Sequence, residues 1–184
     1  MAPLSRRIFA AWLAAMLCSP PAPAAMPAGE YQVKAAYLFN FSQFVEWPAA
    51  AFGSPTAPFV IGIVGEDPFE GALDSVVRGE KLDGHPLLVR RFANADEVTD
   101  CNIVFVARGQ AALLDDTLRA LRGRHVLTVT DAPGAEDRGA MIVLFTDNNR
   151  IRMRINLAAA RASRLTISSK LLRPAEVINA GGAS

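Results

Sequence analysis

The stretch Phe59-Val60-Ile61-Gly62-Ile63-Val64 decides the fold of this chain. Its residues are apolar or glycine and mostly β-branched, and this composition and length favour a strand over a helix. Polar residues do not alternate with the apolar ones, so we expect both faces of the strand to be covered. A strand covered on both faces is typical of the centre of a parallel sheet.

Further apolar runs, separated by helical segments, extend this pattern. Three resemble the first run and a fourth is more amphipathic; they are Ile103 to Ala107, Val126 to Thr130, Met141 to Phe145 and Leu87 to Phe92. Helices are predicted at Pro68 to Val77 and at Gln110 to Arg122, where leucines recur on one side. This alternation predicts a single α/β domain with a mostly parallel central sheet flanked by helices.

The last strand differs from the others because it alternates. In Arg150-Ile151-Arg152-Met153-Arg154-Ile155-Asn156 the apolar side chains share one face, and the three arginines share the other. Asp147-Asn148-Asn149 precedes this strand, and such residues tolerate left-handed turn geometry. We therefore expect an antiparallel C-terminal hairpin at one side of the sheet. Short helices are predicted to follow at Leu157 to Ser163 and at Ser168 to Val177, and an earlier end of the second helix at Pro174 is the alternative.

A helix is predicted ahead of the sheet, from Glu30 to Trp47, where Pro48 ends it. An apolar stripe follows one side of this helix at Val33, Tyr37, Phe41 and Phe44, and Leu38 and Val45 widen it. Phe39 points away from the stripe, since successive residues are rotated by about 100°. Phe39 therefore meets either a second layer of the protein or a partner, and burial of the helix on two sides is the favoured interpretation.

Residues 1–24 have the three parts of a secretory signal peptide. Arg6 and Arg7 give a positive start, Ile8 to Leu17 form an apolar run, and Ala22-Pro23-Ala24 is a cleavage site of small residues. The apolar run is shorter than the ~20 residues that cross a bilayer. We therefore expect an exported protein without direct membrane insertion. A lipid anchor on Cys18 is the alternative, which Leu17 disfavours.

Cleavage after residue 24 leaves one domain at residues 25–179 and a flexible tail at residues 180–184. Removing Arg6 and Arg7 from the 19 basic residues leaves 17 against 18 acidic ones. This balance predicts no nucleic-acid partner. ATP and reduced nicotinamides are scarce outside the cytoplasm, so export disfavours kinases and dehydrogenases.

Cys101 is the only cysteine that remains after cleavage, so no internal disulfide is expected. It stands at the start of an apolar run, which favours a buried and inert thiol. An intermolecular bridge and a redox role are the alternatives that stay open.

Acidic residues stand where parallel sheets often bind ligands, at the carboxyl ends of strands. Glu66 and Asp67 follow the Phe59 strand and Asp131 follows the Val126 run, so these three outline a candidate ligand crevice. Their charge disfavours phosphate, and Asp67 with Glu70 also fits a helix N-cap with a capping box. Asp131 likewise begins an ordinary turn sequence, and both structural interpretations are favoured.

Catalytic and metal-binding patterns are sparse in this chain. His85 and His125 are far apart and have no ligand spacing with Cys101, so no metal site is predicted. A Gly-x-Ser-x-Gly nucleophile elbow is absent from the sequence. We therefore predict a protein that is not an enzyme and has no cofactor. A hydrolase with Asp131 and His125 as its nearest candidates is the rival interpretation.

Two groups of residues are candidates for partner binding. The arginine row of Arg150, Arg152 and Arg154 suits bidentate contacts with an acidic partner, but it also suits protection of an exposed strand from aggregation. An aromatic group that includes Phe39 and Trp47 suits the centre of an interface. Packing between helix and sheet explains most of this aromatic group, and both alternatives stay open.

Five segments form an ordered set along the chain: Tyr31 to Phe41, Phe44 to Pro48, Phe59 to Gly65, Ile151 to Leu157 and Ile167 to Leu172. In this set the chain resembles the YfiR family of periplasmic signalling proteins, also described as YfiR/HmsC-like. The resemblance covers nearly all of the chain after residue 24. None of the segments encodes a known reaction, so they identify a family more than a mechanism.

The resemblance implies a periplasmic α/β protein, often a homodimer, that represses an inner-membrane diguanylate cyclase by binding its periplasmic portion. Cyclic-di-GMP then falls, and an OmpA-like outer-membrane lipoprotein relieves the repression and promotes biofilm by sequestering the repressor. The better-known member carries disulfide pairs, which this chain lacks the cysteines to form. A periplasmic small-ligand-binding protein that feeds a sensor kinase or another membrane receptor is the alternative.

Overall fold

The computed structural model describes residues 29–179. Five α-helices lie in this part of the chain: α1 Glu30–Phe44, α2 Ala72–Val77, α3 Ala111–Ala120, α4 Leu157–Ala162 and α5 Ser169–Leu172. The strands in the same part are β1 Val45–Glu46, β2 Phe59–Val64, β3 Lys81–Leu82, β4 His85–Phe92, β5 Ile103–Val106, β6 Leu127–Thr130, β7 Ile142–Asp147, β8 Arg150–Asn156, β9 Thr166–Ile167 and β10 Glu176–Ile178.

Eight of these strands form one sheet in the order β10-β8-β7-β6-β5-β2-β4-β3. The pairs β4/β2, β2/β5, β5/β6, β6/β7 and β8/β10 are parallel, whereas β7/β8 and β3/β4 are antiparallel. Strands β1 and β9 form a separate antiparallel pair. The predicted α/β class, with a mostly parallel sheet and an antiparallel C-terminal hairpin, is therefore confirmed.

Strand β2 lies inside the sheet and is buried on both faces, as its apolar run predicts. Phe59, Ile61 and Ile63 belong to a core that includes side chains of α1 and α2, and Val60 and Val64 belong to a second core that includes α3. Successive side chains of a strand point to opposite faces. Because each fully buried large apolar side chain contributes about 1.5–3 kcal/mol, both faces of the sheet stabilise the fold.

Helix α1 is shorter than predicted, because it ends at Phe44 rather than at Trp47. The two residues that follow form β1 and pair with β9. The Phe44 carbonyl accepts a hydrogen bond from the N–H of Ser168 at 2.9 Å. Pairing with a distant segment therefore replaces the last helical turn that the local pattern predicts.

The buried side of α1 also differs from the predicted apolar stripe. Leu38 and Phe41 are buried as predicted, but Val33 is 47 % exposed and Lys34 is buried instead. Phe39 is half-buried and packs against the core. The helix is covered over a broad side that includes a lysine, so the prediction for Val33 was wrong.

Helix α2 begins at Ala72, later than the predicted start at Pro68. Glu70 (φ 50°) and Gly71 (φ 84°) are left-handed, and a right-handed helix does not form through such residues. Asp67 Oδ1 accepts a hydrogen bond from the N–H of Phe69 at 2.8 Å and closes a turn instead of capping the helix. The predicted capping box is therefore wrong, because the chain turns before the helix starts.

The C-terminal helix ends early, as the alternative with Pro174 predicted. Helix α5 ends at Leu172 rather than at Val177, and the residues Glu176–Ile178 form β10 beside β8. Pro174 lacks the N–H that a continuing helix requires. Because β10 pairs with β8, the edge strand on this side of the sheet is β10 and the β7-β8 hairpin lies next to it.

Two predicted segments lie outside the described residues, namely the signal peptide at residues 1–24 and the tail at residues 180–184. Between residues 29 and 179, no helix has both the length and the apolar character that a membrane crossing requires. The described part is continuous and contains both cores of the main sheet.

Candidate functional site

Asp131 lies at the carboxyl end of β6 and is buried, with 5 % of its surface exposed. Its Oδ2 accepts hydrogen bonds from Lys34 Nζ at 2.5 Å and from Tyr31 Oη at 3.0 Å, and its Oδ1 accepts from the backbone N–H of Arg108 at 2.6 Å. Arg108 Nε lies 3.2 Å from the same Oδ2. The predicted turn after β6 therefore begins with a buried carboxylate that has four donors around it.

Helix α1 supplies the other members of this buried charge network, which we define as Glu30, Tyr31, Lys34, Arg108 and Asp131. Lys34 Nζ pairs with the Glu30 carboxylate one helical turn earlier, and the Arg108 guanidinium pairs with that carboxylate as well. Two cations therefore meet two carboxylates, so the charges balance at a place that is largely closed to water. Such balance is what permits charged groups to remain inside a protein.

The protonation states of Tyr31 and Arg108 are stable at neutral pH. Burial, reinforced by the negative charge of Asp131, raises the pKa of Tyr31 to about 12. Burial disfavours the charged form of Arg108, but its hydrogen bond with Tyr31 and the charges of Asp131 and Glu30 outweigh burial and raise its pKa. A neutral phenol and a permanent guanidinium are poor proton-transfer groups at neutral pH, so these two residues orient and neutralise their neighbours.

The crevice between β2 and β5 is where an open α/β sheet commonly binds a ligand, because the strand order reverses there. Gly65 begins this crevice with φ 83°, and a Cβ at this position would lie 2.0 Å from Gln110 Oε1 and 2.6 Å from Leu113 Cδ2. Side chains of the chain itself therefore fill this end of the crevice. In the part of the chain that the structure describes, Gln110 Oε1 is buried without a hydrogen-bond partner.

The predicted crevice residues belong to different clusters. Glu66 is exposed, and Asp67 Oδ2 accepts from Arg91 Nε at 2.8 Å. Arg91 also binds Asp74 at 2.5 Å, and this hydrogen bond lowers the pKa of Asp74. Asp67 is therefore part of a surface ion-pair cluster, while Asp131 is part of the buried charge network. Ligand binding at this edge stays a prediction.

Sequence analysis missed Glu30, Tyr31, Lys34 and Arg108 as members of a site. One signal was present in the spacing of Glu30 and Lys34, since residues four apart on a helix pair across one turn. Another was that Arg108 and Asp131 each follow a buried strand soon after it ends. Because β5 and β6 are parallel neighbours, the residues that follow them meet at the same edge of the sheet.

Arg154 of the arginine row is used within the molecule. Its guanidinium binds Glu176 at 2.9 Å and Glu136 at 3.2 Å. It also lies 4.3 Å from the centroid of the Phe145 ring. The hydrogen bond with Glu176 raises the pKa of Arg154. This arginine therefore joins the hairpin to β10 and to the loop before β7.

Arg152 and Arg150 are less committed to internal contacts. Arg152 lies 3.3 Å from Asp147 and 3.6 Å from Glu176. Arg150 is exposed and makes no ion pair with any residue from 29 to 179. Both arginines line a cleft of about 450 Å³ at the turn end of the hairpin. The arginine row therefore divides into one structural residue and two that face solvent.

A comparison with known families covers the same region. A family profile described as YfiR/HmsC-like matches residues 31–176. The match begins at Tyr31 of the buried charge network and ends at Glu176, which pairs with Arg154. The protein belongs to the YfiR/HmsC-like family. Members of this family are periplasmic regulators of cyclic-di-GMP signalling, and the family is regulatory and non-enzymatic. A comparison with curated proteins gives no match.

The aromatic candidates of this YfiR/HmsC-like protein are partly used in packing. Trp47 meets Phe59 edge to face with ring centroids 4.9 Å apart, and its Nε1 donates to the Asn102 carbonyl at 3.2 Å. Phe39 is half-buried against the core. Both side chains therefore stabilise the domain, and their contact with a partner stays a prediction.

In the YfiR/HmsC-like domain Cys101 is buried, and each of the two histidines lies close to a backbone carbonyl. Cys101 is buried, as predicted, and burial raises the pKa of its thiol to about 12. His85 Nδ1 lies 2.5 Å from the Ala57 carbonyl, and His125 Nδ1 lies 3.0 Å from the Ser163 carbonyl. Across residues 29–179, His, Cys, Asp and Glu side chains form no group of three that is placed to hold a metal ion.

Proposed function

We propose that this YfiR/HmsC-like protein restrains an inner-membrane diguanylate cyclase by binding the periplasmic portion of that enzyme, which lowers cyclic-di-GMP. Membership of a family of periplasmic regulators supports this function. The contact surface in the proposal is the turn end of the β7-β8 hairpin, where Arg150 and Arg152 face solvent.

The exposure of Arg150 is the observation that carries this choice of surface. Its guanidinium has no carboxylate partner in the described part of the chain, whereas that of Arg154 has two. A guanidinium that faces solvent is available for a bidentate bond with a carboxylate of another protein. Charges at the rim of an interface chiefly steer association and set its orientation.

Repression by binding requires a difference in affinity. The protein shifts the cyclase towards an inactive conformation only to the extent that it binds that conformation more tightly. A coupling free energy of about 1–3 kcal/mol corresponds to about 5- to 150-fold control. A few added ion pairs and a modest apolar contact are sufficient to supply a coupling of this size.

The proposal has three further parts. The signal peptide at residues 1–24 delivers the protein to the periplasm, and the exported chain forms a homodimer. An OmpA-like outer-membrane lipoprotein competes with the cyclase for the protein and so relieves repression. Phe39 and Trp47 are the candidates for the apolar part of a partner contact.

Complementation of a deletion strain tests the function. We expect deletion to raise cyclic-di-GMP about fivefold or more and the wild-type gene to restore the low level. Arg150→Glu should fail to restore it, because the reversed charge repels an acidic partner. The purified variant should melt within about 2 °C of the wild type, since exposed substitutions change stability by about 0.5 kcal/mol or less.

Two variants serve as controls for Arg150→Glu. Arg122→Glu makes the same change of charge at an exposed position after α3 and should repress like the wild type. Arg154→Glu should lower the melting temperature, because it places a third carboxylate beside Glu136 and Glu176. An unchanged nucleotide pool in the deletion strain would remove the cyclase from the proposal. Equal effects of Arg150→Glu and Arg122→Glu would remove the hairpin surface.

A further inference from the structure

The sheet edge beside β8 is incomplete. Strand β7 pairs with β8 from Arg150 to Ile155, but β10 pairs only with Arg154–Asn156. Within residues 29–179, no strand therefore lies beside Arg150–Met153 on the side away from β7. We call Arg150–Met153 the open edge.

Backbone groups of the open edge point outwards into this gap. Tyr37 Oη donates to the Ile151 carbonyl at 3.2 Å, so this carbonyl faces away from β7. In an antiparallel pair the N–H and C=O of one residue point to the same side, and every second residue repeats that direction. The backbone groups of Ile151 and Met153 therefore face the gap. A carbonyl oxygen has two lone pairs, so that of Ile151 accepts a second hydrogen bond beside Tyr37.

A cleft of about 450 Å³ lies along the open edge. It is lined by Tyr37, Pro174 and residues of the β7-β8 turn together with the open edge itself. A strand rises about 3.4 Å per residue, so about four extended residues of another chain span this edge. Strand addition to an exposed sheet edge is a common way in which proteins bind extended segments.

The charge of the open edge favours an acidic segment. Arg150 is exposed and has no ion pair within the described residues, and the two contacts of Arg152 are long, at 3.3 Å and 3.6 Å. Asp147 at the turn has the opposite sign and is already close to Arg152. A carboxylate that arrives at Arg150 therefore meets an uncommitted guanidinium.

We propose that the open edge accepts an extended acidic segment of the membrane partner by strand addition, with a carboxylate of that segment on Arg150. The inference rests on the proposed function and specifies the kind of segment that the partner contributes. Hydrogen bonds with the backbone of Ile151 and Met153 supply affinity, and Arg150 selects for the acidic side chain.

Ile151→Pro tests strand addition directly. Proline removes the outward N–H and obstructs an added strand, while the bonds from β8 to β7 remain because they belong to the alternate residues. We expect this variant to raise cyclic-di-GMP to the level of the deletion strain. Pro174→Trp is the second variant, because its ring fills the cleft from an exposed position without changing β8. It should have the same effect.

Val89→Pro is the matched control at the other sheet edge. The N–H of Leu87 donates outwards to the Glu80 carbonyl, so by alternation the N–H of Val89 also faces away from β2. Val89 is half-buried against the same core as Ile151. The control therefore also changes a half-buried residue and removes one outward N–H, and we expect it to repress like the wild type.

The outcomes separate this inference from the proposed function. Repression lost in Ile151→Pro and Pro174→Trp but kept in Val89→Pro supports strand addition. If Pro174→Trp, folded as judged by its melting temperature, represses like the wild type, strand addition is overturned. If Arg150→Glu alone then loses repression, the proposed function remains, and the protein contacts its partner through side chains without an added strand. An unchanged nucleotide pool on deletion would overturn both.

Discussion

Lys34 carries a positive charge into the interior of the domain, with 1 % of its surface exposed. Removing an ammonium group from water costs several kcal/mol, and close carboxylates must offset that cost. Asp131 at 2.5 Å and Glu30 one turn earlier supply them, and the Tyr31 ring lies 4.6 Å from Nζ. The buried charge network therefore connects α1 to the end of β6 through groups that depend on one another.

Lys34→Met should destabilise the domain strongly. Methionine keeps most of the apolar stem but leaves the carboxylates of Glu30 and Asp131 with Arg108 as their remaining cation. We expect the free energy of unfolding to fall by about 3 kcal/mol or more, as when one partner of a buried pair is removed. Urea unfolding followed by circular dichroism measures this loss.

Two further variants make the Lys34 result interpretable. Lys81→Met changes an exposed lysine of β3 and should alter stability by about 0.5 kcal/mol or less. The double variant Lys34→Met with Asp131→Asn should recover part of the loss, because it also removes one uncompensated carboxylate. A Lys34→Met variant as stable as Lys81→Met would show that the buried pairs contribute nothing to folding.

At the scale of elements, the turn between β2 and α2 requires a glycine for two separate reasons. Gly65 is left-handed at φ 83°, and its N–H donates to the Phe92 carbonyl of β4 at 2.8 Å. The absence of a side chain also admits Gln110 and Leu113 from the segment at the start of α3. One residue thus sets the direction of the chain and the approach of a neighbouring helix.

Gly65→Ala should destabilise the domain more than Gly79→Ala does. Both glycines are left-handed, but a Cβ added at Gly79 would project into open space, with no neighbouring side chain within 4 Å. The left-handed backbone costs about 1–2 kcal/mol in either variant. Gly65→Ala must also displace Gln110 and Leu113, which adds about 1 kcal/mol or more. Parallel urea titrations give the difference, and equal losses would mean that the packing term is absent.

Element boundaries show where local patterns stop being sufficient. The pattern before Pro48 predicts helix up to Trp47, yet β1 leaves the helix to pair with β9. Residues Glu176–Ile178 continue an apparent helical segment, yet they form β10 against β8. In both places hydrogen bonds with a distant strand replace those of a helix, and local spacing does not contain that information.

At the scale of the whole molecule, the exposure of Cys101 is a measure of how tightly the second core is closed. This residue is 5 % exposed, and it belongs to the second core. A Cβ on Gly62 would lie only 3.0 Å from its Sγ, which shows how closely β2 approaches. Access to this thiol therefore requires the loop before β5 to move away from β2.

Native protein without residues 1–24, which removes Cys18, should react slowly with Ellman's reagent. Burial raises the pKa of Cys101 to about 12, so its thiolate fraction at mildly alkaline pH is far below that of an ordinary thiol. We expect complete reaction in concentrated guanidinium chloride and reaction at least about a hundredfold slower in buffer. A Ser54→Cys variant supplies an exposed thiol for comparison. If Cys101 and the cysteine introduced at position 54 react at equal rates in the folded protein, the burial of Cys101 is contradicted.

Much of the fold could be predicted, because the local sequence of each main strand is enough to indicate a strand. The Phe59 run, the alternation at Arg150 to Asn156 and the asparagine turn before it each encode their own conformation. The candidate sites were less predictable. Asp131 was identified as a residue at a strand end, but its partners come from α1 and from the end of β5, and only their convergence makes it a buried group.

The amino-acid sequence alone determined the α/β class, the central place of β2, the C-terminal hairpin and the family, because spacing along the chain encodes which faces are apolar. Tertiary structure alone decided that Lys34 is buried and that Arg154 is paired while Arg150 is free of ion pairs among the described residues. It also decided that β10 covers only part of β8. The reason is that each of these features depends on which distant segments come together, and local periodicity does not record that.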